Sequence, residues 1–190
     1  MAAPDDAERL VLEDAAAWRA WLVENHARST GVWVLRPRAG VQRRLISYED
    51  SVRQALCFGW VDGTLRPMDA EMLGQWYAPR RAASGWAATN KARVRELEAS
   101  GEMTDAGRRV IEAAKASGMW TVLDGPEAGI EPPELSAALD AVPTARENWD
   151  AFPRSARKMG LTQIAMARRP ETRAARIAKV VADAAAGKRP

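Results

Sequence analysis

Residues 47–63, SYEDSVRQALCFGWVDG, contain the change of period that decides the fold class. Ser47 and Asp50 stand in a near-capping-box arrangement. Val52, Ala55 and Leu56 form one apolar stripe at helical spacing, and Gly59 is the natural residue just past the helix end. From Trp60 the pattern turns to strand: WVDGTLRP and LGQWYAP read as two strands joined across MDAEM. A helix running into a hairpin points to an α+β fold.

Working outward, EDAAAWRAWLVENHARSTG reads as a helix capped by Asp14, with Trp18, Trp21 and Leu22 on one stripe and Gly31 as its stop. The residues before it are expected to fray. VWVLRP is a short strand ended by Pro37. Ser84 is placed to cap a helix running through TNKARVRELEA, and Thr104 to cap TDAGRRVIEAAKASG. Residues 124–133, DGPEAGIEPP, have the composition of a linker. Beyond them ELSAALDAV, TARENWDAF, SARKMGLTQIAMA and ETRAARIAKVVADAAAG all read as helices. In the last, Ile177, Val180, Val181 and Ala184 fall at i, i+3, i+4 and i+7. The expectation is a small antiparallel sheet with packed helices over residues 1–123, a linker at 124–133, and a basic helical region over 134–190.

The 190 residues are enough to bury a sizeable core, and eight tryptophans stand against two tyrosines and two phenylalanines. Indole brings a large apolar area and an N–H that needs a partner when buried, so most of these rings belong to the core. Cys57 is the single cysteine and His26 the single histidine. An internal disulfide, a thiolate zinc cluster and a two-histidine site are therefore excluded. The first residues lack a basic segment followed by an apolar one, and no window approaches the length of a membrane span. A cytoplasmic protein without a membrane span is expected. The net charge of +3 is unevenly spread: residues 151–190 carry ten basic and two acidic side chains, a local net charge of +8. Such a tail suits nucleic acid, another polyanion, or the acidic body of the same chain.

Three blocks, SYEDSVRQALCFGWVDG, YAPRRAASGWAATNKARV and SGEMTDAGRRVIEAAKASGMW, resemble the YdeI/OmpD-associated family, as does the closing RRPETRAARIAKVVADAAAGKR. The resemblance runs from about residue 12 to 189. Tyr77-Ala78 stands where the family pattern has Phe-Thr, and Ala87 where it has Ser. The family label implies protection against bacteriocins and association with an outer-membrane porin. It implies no established reaction.

Chemically, Cys57 falls at the end of a helix among Ala55, Leu56 and Phe58, where the dipole disfavours a thiolate, so a buried unreactive thiol is expected. Asp62 has two readings. It is a turn or bulge aspartate beside Gly63, or an inward carboxylate paired with Arg80 or Arg81. Adjacent arginines in extended chain point to different sides, and Trp86 shares a helical face with Asn90 if the helix already includes Trp86. Trp60, Asp62, Tyr77, Arg80, Arg81, Trp86 and Asn90 thus make a candidate pocket for a small anionic or aromatic ligand. A cofactor-independent enzyme using Asp62 and Arg80 is the alternative, and neither reading calls for a metal or cofactor. A third reading is weak, nonspecific binding of nucleic acid or another polyanion by Arg168, Arg169, Arg173, Arg176 and Lys179.

Overall fold

The computed structural model describes residues 6–190. Two compact units divide the chain. The first runs to Ser84 and resumes at Thr89–Ala116; the second takes Gly85–Ala88 and Ser117–Pro190.

In the first unit, α1 (Ala15–Asn25) is capped by Asp14, whose carboxylate accepts from the Ala17 N–H at 2.9 Å. It stops well before Gly31, the expected end. The Asn25 side chain donates to the Trp21 carbonyl at 2.7 Å, a local bond that competes with another helical turn. Strand β2 (Val32–Pro37) follows, and then α2 (Tyr48–Cys57), where Ser47 Oγ accepts from the Asp50 N–H at 3.0 Å. Gly59 ends α2 at φ +73°, and a Cβ there would stand 2.6 Å from Val110 Cγ2, so only glycine suits the turn.

The hairpin forms as expected from β3 (Trp60–Pro67) and β4 (Met72–Pro79). The four strands lie in the order β1-β2-β4-β3, with β1 at Arg9–Leu10. Antiparallel pairing joins β2 to β4 and β4 to β3, while β1 lies parallel to β2, so the sheet is mixed rather than purely antiparallel. Two residues in a stretch expected to fray carry no readable period; β1 exists through backbone bonds such as Trp33 N–H to the Glu8 carbonyl, 2.9 Å.

Helices α3 (Ala88–Ala99) and α4 (Asp105–Ala116) complete this part. α3 starts at Ala88, so Ser84 is not its cap. Gly107 lets α4 approach the end of α2: a Cβ at that position would collide with the Cys57 carbonyl. The Thr104 hydroxyl donates to the same carbonyl at 2.6 Å. The core gathers Trp18 and Leu22 of α1, Leu56 of α2, and Trp33, Trp60 and Tyr77 of the sheet, all buried.

The second unit is helical: α5 (Asp124–Ala128), α6 (Pro133–Asp140), α7 (Pro143–Ala151), α8 (Arg154–Ala165) and α9 (Pro170–Ala185). Residues 124–133, read as a linker, therefore hold α5. Gly125 and Pro126 are compatible with a first helical turn, where the N–H groups have no intrahelical partner. Proline also opens α6, α7 and α9. Leu135, Leu139, Trp149, Leu161, Ile164 and Val180 form the centre of this core. The Trp149 indole N–H donates to Glu131 Oε1 at 2.7 Å. Arg146 holds the same carboxylate and that of Asp140, at 3.0 and 2.8 Å. Among the described residues no helix is long and apolar enough to cross a membrane.

Candidate binding site

The β3–β4 register places Asp62 opposite Tyr77, so the two side chains share one face of the sheet. Pairing then shifts between Asp62 and Leu65, leaving an irregularity at Gly63 and Thr64. Asp62 is thus a bulge aspartate and a half-buried one as well. The Tyr48 hydroxyl donates to Asp62 Oδ2 at 2.7 Å. Tyr48 is the first residue of α2, so the Ser47 cap that starts the helix also sets this phenol over the strand.

Four elements meet at the pair. Arg36, near the end of β2, lies with its guanidinium carbon 5.2 Å from the Tyr48 ring centroid. Arg93 of α3 grips Glu49 of α2 with two hydrogen bonds, 2.9 and 2.6 Å, and donates to Asn90 Oδ1 at 2.9 Å. Partial burial, then the hydrogen bond and charge of Asp62, push the Tyr48 phenol up to about 12, against the opposing pull of Arg93 and Arg36. Arg80 follows β4, and its backbone N–H donates to the Gly59 carbonyl at 2.9 Å. Burial lowers its guanidinium to about 10, while the charge of Asp62 favours the protonated form. A cation taken partly out of water therefore sits in the field of a carboxylate that is itself held by a phenol.

The expected set divides. Asp62, Tyr77 and Arg80 belong to this region, and Asn90 joins it through Arg93. Tyr77 is fully buried, its hydroxyl 2.6 Å from Ser51 Oγ, and burial raises its pKa well above the usual phenol range. Trp60 is a core ring: it meets Trp18 and Trp21 edge-on at 6.3 and 5.7 Å, and its N–H donates to the His26 carbonyl. Arg81 is exposed. Trp86 is buried in the second unit, 4.9 Å from Trp120, and lies before α3, so it shares no helical face with Asn90. Tyr48, Arg36 and Arg93 were not singled out from the sequence. The helix start at Ser47 marks Tyr48 as a first-turn residue, but the partner of Glu49 lies 44 positions away and leaves no local signal.

Cys57 is fully buried, and burial raises its thiol pKa, with an Arg19 hydrogen bond acting the other way. Among the described residues no cluster of three or more His, Cys, Asp or Glu suits a metal ion. Of the basic tail, Arg173 donates to the Ile164 carbonyl, Arg176 to the Gln163 carbonyl, and Lys179 pairs with Asp183 at 2.6 Å. Arg168 and Arg169 are exposed.

Residues 10–110, just over half of the chain, match the family model described as a domain of unknown function, DUF8412. The chain belongs to the DUF8412 family. Residues 129–187 match a second model, described as bacteriocin-protection, YdeI or OmpD-associated. The YdeI/OmpD-associated match thus covers the helical C-terminal part, while the CFGWVDG and APRR blocks lie within the DUF8412 stretch. No curated protein and no solved structure matches this DUF8412 member.

Proposed function

We propose that the DUF8412 part is a binding module for a small anionic or aromatic ligand, received where Tyr48, Asp62, Arg36 and Arg80 converge. One observation carries this reading: a half-buried carboxylate held at 2.7 Å by a phenol that is itself 37% exposed, beside a desolvated guanidinium. A pre-ordered phenol–carboxylate pair fixes orientation. The arginines supply charge, and the exposed phenol ring gives a stacking surface. In this reading Tyr48, which was not singled out from the sequence, takes the aromatic role, and Trp60 packs in the core. The description of the C-terminal family supports a protective function for the whole chain, in which such a module would sense or sequester a small molecule. Nonspecific binding to polyanions is less well supported, because Arg173, Arg176 and Lys179 already bond their own chain.

Benzoate, benzamide and inorganic phosphate test the reading by two-dimensional amide NMR at matched ionic strength. Benzoate should give saturable shifts at Tyr48, Asp62 and Arg80 that exceed those from benzamide, and Arg80→Gln should weaken them at least tenfold while the spectrum stays folded. Equal, non-saturating responses to all three probes, or no loss in Arg80→Gln, would refute the site.

A further inference from the structure

The second unit holds a hollow of about 130 Å³, separate from the cluster just described, at the N-terminal turn of α8. Arg154, Arg157 and Lys158 line it from α8, at i, i+3 and i+4 and hence on one helical face. Gly129 and Glu131 of the α5–α6 connection and Trp149 of α7 also line it. Arg154 and Arg157 stand in the first turn, where a helix favours anions because that turn already carries the positive end of the macrodipole, and Lys158 follows directly. Pro153, at the cap position, adds no side-chain acceptor to offset that field.

The acids nearby are already engaged. Glu131 accepts from Arg146 and from the Trp149 indole, at 3.0 and 2.7 Å. Glu127 accepts from Lys158 at 3.1 Å and from the Ala88 N–H at 2.8 Å. Arg154 is turned to the Glu127 carbonyl, 3.1 Å. Arg157 differs: its Nε is buried, with no hydrogen-bond partner among the described residues. The hollow is lined by the residue that carries this N–H, and a guanidinium N–H left without an acceptor calls for one from outside the chain.

We propose that this hollow binds an oxyanion, a phosphate or carboxylate group, with Arg157 as the principal donor and Lys158 and Arg154 contributing charge. The group has two sources, a free ion or the head of a larger molecule. An apolar hollow of about 170 Å³, lined by Pro126, Ile130 and Ile164 and sharing Leu161 with the basic one, gives the second source a place for its tail.

Titration calorimetry of the full chain with inorganic phosphate and with hexyl phosphate, against chloride at equal ionic strength, tests this. At least one phosphate should bind saturably, with Arg157→Gln and Lys158→Gln each weakening it at least tenfold and Arg168→Gln leaving it unchanged. Circular dichroism confirms that each variant is folded. Hexyl phosphate binding tenfold tighter than the free ion assigns the head-group source, and equal affinities assign the free ion. Failure of both probes to bind above chloride overturns the proposal, and so does equal loss in Arg168→Gln.

Discussion

Tyr48→Phe removes a single oxygen and tests whether the phenol–carboxylate pair contributes to the stability of the first unit. The hydroxyl donates to Asp62 Oδ2 at 2.7 Å, and its pKa rises from 10.0 to about 12 in the folded state. A tenfold change in proton affinity corresponds to about 1.36 kcal/mol, so a rise of this size would represent about 2.7 kcal/mol. Its largest cause is burial, which penalises the phenolate, and only the remainder belongs to the bond and charge of Asp62. Tyr48 is 37% exposed, however, and solvent screens the pair, which brings the expected loss to about 1 kcal/mol. The pH dependence has a definite sign. A folded pKa above the unfolded one means that the native state holds the proton more tightly, so the contribution is complete below pH 10 and disappears as pH rises through 12. The wild type should therefore exceed Tyr48→Phe by about 1 kcal/mol at pH 7, with the gap narrowing between pH 10 and 12. Urea unfolding followed by tryptophan fluorescence measures both quantities, and comparing the two proteins cancels the titration of groups that do not interact with Tyr48. Equal midpoints at pH 7, or a gap that persists undiminished above pH 11, would refute the reasoning.

Trp149→Ala should destabilise the second unit by about 3–5 kcal/mol, because the indole is fully buried and its loss also strips a donor from Glu131. Thermal unfolding measures it, and a loss under about 1 kcal/mol would show that the helices close over the void. Cys57 should react with a disulfide reagent at pH 8 only as fast as the protein opens, since burial both blocks access and raises the thiol pKa. Labelling at the rate of the urea-unfolded chain would contradict this.

Local chemistry was legible in the sequence wherever one segment satisfies itself. The Asp14 and Ser47 caps, the glycine after α2, the β3–β4 hairpin and the four C-terminal helices follow from spacing and side-chain type within a few residues. Backbone geometry and hydrogen bonds of short range decide those features, so they are written in order along the chain. The tertiary structure alone decided which polar groups meet. Asp62 was read either as a turn or bulge aspartate or as a partner of Arg80 or Arg81; its hydrogen bond comes from Tyr48, fourteen positions earlier, while its charge acts on Arg80. Trp60 and Trp86 look alike in sequence, as tryptophans beside glycine, yet one packs on α1 and the other on Trp120 of the second unit. A large apolar ring is drawn into whichever core it can reach, because burial has no direction. A hydrogen bond does have a direction, and its partner is set by how distant elements pack.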